Sequence, residues 1–527
     1  MSCSASEASS DMTGLRAGSG PSGRKAGFLF GCQVLPQFVA MGAPSIALPS
    51  VGRSLGLPFG ATAWVLAGWA LTSALAMPLT GRLVPRWGTR RILVLMMVTM
   101  SGGSLIAAFA PSLLILVAGR LIGGFGAGGM MIATYSALTG LLVGKERDRA
   151  LGTVAACGGM ASACGTLVGG VLTAWLGWRA VMAVPAVGLL LLVFTARLAP
   201  VAQRDTPRQQ LDWGGAAALA VLGGAIVTLL QARSTGLSLP VILSLVVAAV
   251  LSAAILARRI RRRPDGFVPR RVVGAPGFLT NAVAGLTIFG GYYALLFAAP
   301  SLIEADTGWG SLGVGAVLLP PALCSLVAAR LIRPLTSRLR TWQITAVLGV
   351  LSMTGMLLGA LGEPIFVVVA LALAVCGFTG GQAVLFGLVP RLVADDDSDT
   401  AQGLFSFVVY GGSSIGTAVV GGLASALSLS AALAVVAILP AAGVAVSVLG
   451  RPGEKRSVRR RRGPRPPENS DHSSKGGTHG NRCGQRDSHA LPAYRGRLPD
   501  RAAARLAADG VRLAAKIVKS AGPRIQA

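Results

Sequence analysis

Fourteen apolar stretches of spanning length follow one another along the chain, at about 27–49, 61–80, 92–110, 112–138, 151–174, 180–198, 211–230, 238–257, 277–300, 312–332, 343–361, 364–389, 403–424 and 428–449. An α-helix rises 1.5 Å per residue, so about 20 apolar residues cross the ~30 Å of hydrocarbon in a bilayer. A water-soluble core cannot hide so many runs of that length. Charged residues make up only 13% of the 527, against about 25% in a soluble domain. The pattern specifies an all-α polytopic membrane protein.

The basic residues fall between alternate runs. One set of connections carries Arg82, Arg86, Arg90 and Arg91, then Lys145, Arg147 and Arg149, then Arg204 and Arg208, then Arg258, Arg259, Arg261, Arg262, Arg263, Arg270 and Arg271, then Arg333, Arg338, Arg340 and Arg391. The other set carries Arg53, Arg179, Arg233, Glu304, Asp306 and Glu363. Lys and Arg hold connections on the cytoplasmic side. Both termini are thus expected in the cytoplasm of a bacterial cell, with the chain in the inner membrane. The net charge of +28 does not argue for nucleic acid. Beyond Gly450 alone, nineteen Lys and Arg face six Asp and Glu, and most of the remainder serves orientation.

Seven cysteines show no paired spacing, and no histidine precedes His472. A disulfide framework, a His-based metal centre and a membrane haem are therefore not expected; neither is an ATP-driven pump, since no Walker-type phosphate loop occurs. Residues 1–26 are polar and rich in Ser and Gly, and are expected to be a disordered cytoplasmic segment ahead of an uncleaved first helix. Residues 450–527 are expected to form a basic, mostly disordered cytoplasmic tail, in which 500–519 has the pattern of an amphipathic helix at an anionic lipid surface.

Several short motifs stand in order along the first half. "GRLVPRWGTRR" (81–91) has Gly81, Leu83, Arg86, Gly88 and Arg90 at the places of a G-x-L-x-D-r-x-G-r-k signature, with Pro85 where Asp is usual. "AGRLIGGFGAGGM" (118–130) carries Arg120 in the fourth run. "GTVAACGGMASACGTLVGG" (152–170) carries Gly152, Gly165, Gly169 and Gly170 in the fifth, with Ala161 and Thr166 in place of a Gly and a Pro. "GAPSIALPSVG" (42–52) and "WRAVMAVPAVG" (178–188) flank them, and Ala40 occupies a position that is usually acidic. Together these motifs resemble the major facilitator superfamily, specifically its fourteen-helix drug:proton antiporter branch, over residues 27–449. "RPLTSRLR" (333–340) echoes the 81–91 motif, as an internal repeat would.

The resemblance implies two six-helix bundles, at 27–198 and 277–449, with two linker helices and cytoplasmic loops at 199–276. It implies a secondary transporter that exports a small drug- or antibiotic-like molecule by alternating access, with proton antiport as the drive. It also implies a gating motif at Gly81, Arg86, Gly88 and Arg90, and no cofactor or metal. Partners are the small-molecule substrate, protons and lipid, and a monomer is expected.

Arg120 is the outstanding candidate on residue chemistry, because a charge inside a spanning helix is costly and marks function by default. It could hold an anionic group, tune a neighbouring acid, or anchor the helix through backbone carbonyls. Cavity candidates on helices that face the centre in the family are Gln33 and Gln37, one helical turn apart, with Tyr135, Asn281, Tyr292, Tyr293 and Gln382. Each could instead make an interhelical hydrogen bond. Such a cavity, apolar with few charges, suits a bulky amphipathic or neutral substrate. No acid lies within the first six runs, and Asp212, Glu304 and Asp306 stand at helix edges. An uncoupled facilitator is therefore the alternative. A remote alternative is a prenyltransferase-type enzyme that holds Mg²⁺ on Asp395, Asp396 and Asp399, although a second acidic cluster is missing.

Overall fold

A computed structural model describes residues 23–199, 212–262, 266–393 and 398–450. Residues 1–22 and 451–527, Arg204, Arg208, Arg263 and the acids Asp395 and Asp396 lie outside the described residues. So does the side chain of Asp399.

The chain is a multi-pass membrane protein built of helices. In order they are α1 (Gly23–Leu55), α2 (Phe59–Trp87), α3 (Thr89–Ala108), α4 (Leu113–Leu141), α5 (Gly144–Leu176), α6 (Trp178–Leu198), α7 (Trp213–Leu230) and α8 (Leu239–Arg262). Then follow α9 (Phe278–Thr307), α10 (Ser311–Ile332), α11 (Thr341–Gly359), α12 (Pro364–Leu392), α13 (Ser398–Leu423) and α14 (Leu429–Leu449). Thirteen of these are long and apolar enough to cross a membrane among the described residues. The remaining one is α5, a 33-residue helix whose described apolar stretch is Cys164–Leu176. The helices are interrupted at Val184–Gly188 in α6, at Leu318 in α10 and at Ala437 in α14, with prolines close by.

Helices overrun the apolar stretches at the arginine-rich face. The fifth begins at Gly144 rather than near residue 151. Gly144 has φ +56°, which lets the chain turn, and the acidic Glu146 in the first turn suits the positive end of the helix dipole. The 81–91 motif is mostly helix as well. α2 continues through Pro85 to Trp87, and Gly88 (φ +83°) is the single residue between α2 and α3. Proline crowds the carbonyl four residues before it. That residue is Gly81, which is exposed and has no neighbour within 4 Å of where a side chain would start.

Small residues set the packing of the first half. α1 runs against α5 along its length, through Gly27 on Ala150, Gly31 on Cys157 and Gly169 on Ala43. A Cβ at Gly169 would lie 2.8 Å from the Ala43 Cα, so the two backbones touch. α4 is wedged between α2 and α3. Gly124 and Gly128 face Trp69 and Ser73 of α2, while Gly119, Gly123 and Gly126 face Gly103, Ala107 and Met100 of α3. Contact between backbones is what holds helices together in lipid, where no hydrophobic force drives them. α8 lies at the periphery: Ser252 is its single buried residue, and its exposed Leu and Val side chains face the surroundings.

The two halves meet along α2 and α13. Gly60 packs on Gly421 at one end, the Ser414 hydroxyl donates to the Ala67 carbonyl at 2.7 Å in the middle, and Pro78 meets Gly403 at the other. A second contact joins α5 and α10, where a Cβ at Gly170 would lie 2.6 Å from the Ser311 carbonyl oxygen. On the same, arginine-poor face, Arg53 at the end of α1 pairs with Glu304 at the end of α9 at 2.5 Å.

Candidate functional site

A small cavity opens where α1, α2 and α4 meet α9 and α13. Its first-half wall is made by stripes at helical spacing. Gln37 and Met41 come from α1, and Trp69, Ser73 and Met77 are successive turns of α2. Arg120 and Met131 come from α4. The facing wall is Tyr293 of α9 and Tyr410 of α13.

Arg120 is 1% exposed. Its Nε donates to the Val65 carbonyl at 2.8 Å, and Nη2 reaches the Ala40 carbonyl at 3.5 Å. The guanidinium lies over the Trp69 ring, 4.2 Å from its centroid. The position of Ala40 thus serves Arg120 through a main-chain oxygen. Among the described residues no carboxylate pairs with Arg120; the ion pairs are Arg53–Glu304, Arg149–Glu146 and Arg259–Asp212.

Gln33 and Gln37 are buried one turn apart. Among the described residues Gln33 has no partner for either amide atom, and Gln37 has none for its amide oxygen. A buried amide without partners is unstable by a kilocalorie or more, on the order of 1–3 kcal/mol. Gln37 faces the cavity, whereas the backbone of Gln33 faces Gly188 of α6.

The aromatic wall is continuous. Tyr292 stacks on Phe378 with centroids 4.5 Å apart, Tyr293 meets the same ring edge-on at 5.9 Å, and Phe289 lies 5.7 Å from Tyr410. Tyr410 is within side-chain hydrogen-bonding reach of Gln382 and stands close to both Tyr135 and Tyr293. The structure therefore brings Arg120, Gln37, Tyr293, Tyr135, Tyr292 and Gln382 to one region. Asn281 is elsewhere: it lies in the first turn of α9, where its amide donates to the Gly277 carbonyl at 2.7 Å. Trp69 also lines the cavity, as do Ser73 and Tyr410, whose sequence contexts single out neither. The i, i+4, i+8 spacing of Trp69, Ser73 and Met77 is the one signal that marks the α2 face.

The motif glycines divide. Gly165 and Gly169 lie against Val39 and Ala43 of α1, and Gly170 lies against α10, while Gly152 has no neighbour within 4 Å. In the 81–91 motif, Arg86 and Arg90 are exposed. Arg82 is the residue that makes contacts: its Nη2 donates to the carbonyls of Gly266 at 2.7 Å and Phe267 at 3.2 Å, and its guanidinium lies 5.3 Å from the centre of the Phe267 ring. Asp212 lies close by. Asp212 is 5% exposed, accepts from the Gly215 N–H at the start of α7 and from the Phe267 N–H, and is ion-paired with Arg259 of α8. This cluster ties the end of α2 to α7, α8 and the segment that follows them.

Comparison with known proteins points one way. The profile of the Major Facilitator Superfamily matches residues 30–417. A puromycin resistance protein of Streptomyces alboniger is 31% identical over 55% of this chain, and the chain spans 58% of its length. A multidrug resistance protein B homolog of Mycobacterium tuberculosis is 28% identical over 70% of this chain and 71% of its own. A cephamycin export protein of Amycolatopsis lactamdurans is 29% identical over 71% of this chain and 80% of its own. The fold is shared with an auto-inhibited POT family peptide transporter, at a TM-score of 0.57 and 15% identity over 85% of this chain and 99% of the other.

Proposed function

The chain belongs to the Major Facilitator Superfamily, and from that premise we propose that it is a secondary active transporter that exports a small organic molecule, drug- or antibiotic-like, across a bacterial inner membrane by alternating access. The observation that carries the reading is the cavity between the halves, lined by Arg120 and Gln37 on one side and by Tyr293 and Tyr410 on the other. A site at the junction of two bundles can be exposed to one face and then the other as the bundles rock. The arginine-rich face is cytoplasmic in this reading, with both termini there. The Arg53–Glu304 pair and the Gly170–Ser311 contact then close the outer end, and opening that end must part them.

The relatives named for multidrug resistance and cephamycin export support export over uptake. Proton antiport is the drive we infer. Among the described residues no carboxylate lines the cavity, and that observation favours a second reading, an uncoupled facilitator. Inverted membrane vesicles separate the two. Uphill accumulation of an exported compound that collapses when nigericin dissipates the pH gradient supports antiport. Transport that only equilibrates the compound, with or without nigericin, supports the facilitator. A drug-sensitive host that gains tolerance to none of a broad compound panel on expression overturns export altogether.

A further inference from the structure

We propose that the transported molecule carries a carboxylate, seated on Arg120, on an apolar body held between Trp69 and the Tyr293–Tyr410 wall. The inference rests on the transport reading and names the chemical class that the cavity takes.

Arg120 carries an unbalanced charge. Arginine stays protonated under any working condition and offers five N–H donors. Arg120 is 99% buried and spends two of its nitrogens on the carbonyls of Val65 and Ala40. Carbonyl dipoles and the Trp69 face soften the charge without neutralising it. Nη1 makes no hydrogen bond among the described residues, while the guanidinium as a whole borders the cavity. Buried charges elsewhere in proteins are paired or hydrogen-bonded to satisfaction, because a low-dielectric surrounding makes the lone ion costly. Elsewhere in this chain that rule is kept at the buried Asp212, which has Arg259.

The second observation is independent. Gln37 is 3% exposed, lines the same cavity, and leaves its amide oxygen without a partner among the described residues. A carboxylic ligand with a hydroxyl or amide group nearby would meet both side chains at once. A cationic ligand would face Arg120 with like charge, and a neutral one would leave that charge as it is. The remaining wall suits an apolar body. Met41, Met77 and Met131 are flexible and polarizable, and Trp69 and Tyr293 line the same cavity.

The test uses the full chain purified in detergent and a shape-matched pair of probes, naphthalene-2-carboxylate and naphthalene-2-carboxamide, read by equilibrium dialysis. The acid is expected to bind at least about tenfold more tightly than the amide, the value of one charge-assisted pair. Arg120→Gln should bring the ratio close to one, and Arg120→Lys should retain part of it. A wild-type ratio near one, or no saturable binding of the acid, overturns the proposal, and this holds even where Arg120→Gln fails to fold. Failure here is distinguishable from failure of the transport reading. Export of neutral or cationic compounds with a ratio near one sinks only the substrate class. A retained preference for the acid in a protein that exports nothing sinks only transport.

Discussion

Arg120 and Arg82 solve the same problem with the same materials and end in different states. Each lies in a spanning helix, each donates to two main-chain carbonyls, and each rests on an aromatic ring, Trp69 for one and Phe267 for the other. The difference is a carboxylate. Asp212 stands beside Arg82, pairs with Arg259 and caps α7, so the charges at that rim are shared out. At the centre of the molecule nothing described plays that part for Arg120. A balanced cluster is a clasp, here joining α2 to the two helices between the halves. In the proposal above an unbalanced one is a site, because the missing charge can come from what is carried. The clasp also bears on Pro85. With no acid at residue 85, the basic end of α2 meets its carboxylate from α7 instead.

The contrast can be broken or sharpened by substitution. The largest effect is expected for Arg120→Ala: efflux should fall about 1,000-fold, equal to ~4 kcal/mol, since two charge-assisted bonds and the ligand contact go together. Membrane insertion should be unchanged, and both are checked by vesicle transport against quantified protein. Undiminished efflux would make Arg120 a structural anchor like its counterpart. Next is Asp212→Ala, expected to lower stability by about 2 kcal/mol through loss of the helix cap and a half-exposed pair. Asp212→Asn, which keeps the cap, should lose about half of that. Thermal denaturation in detergent reads both, and substrate affinity should stay within about twofold. An affinity loss at full stability would erase the distinction between clasp and site.

Smaller still is Tyr410→Phe, which keeps the ring and removes the hydroxyl near Gln382. Affinity should weaken by about fivefold, or ~1 kcal/mol, as for one neutral hydrogen bond. The smallest is Arg53→Gln. Its pair with Glu304 is exposed on the arginine side, so the stability change should stay below about 0.5 kcal/mol and high salt should mimic it. A larger change in transport than in stability would show that this pair takes part in closing the outer end.

How much of this was legible in the chain follows from the range of the forces involved. Hydrophobic length and the alternation of Arg and Lys are local, so the spans, the helix class and the motifs at 81–91, 118–130 and 152–170 were readable without a structure. Helix ends were less so: the turns around Glu146 and Trp87 are polar, yet they stay helical beyond the apolar runs. Arg120 was readable as a costly charge in an apolar run, because that cost depends on its own segment. Its partners were not, since the carbonyls of Ala40 and Val65 belong to the backbone and leave no mark in residue type. The same holds for Tyr410, which enters the site only because α13 packs along α2, and for Asp212, which meets Arg82 across 130 positions of chain through the segment at Gly266 and Phe267. Residue type and spacing determined which elements cross the bilayer and which charges are expensive there. Close contacts between small residues on different helices decided which faces turn inward, and so which of those charges meets a carboxylate among the described residues and which does not.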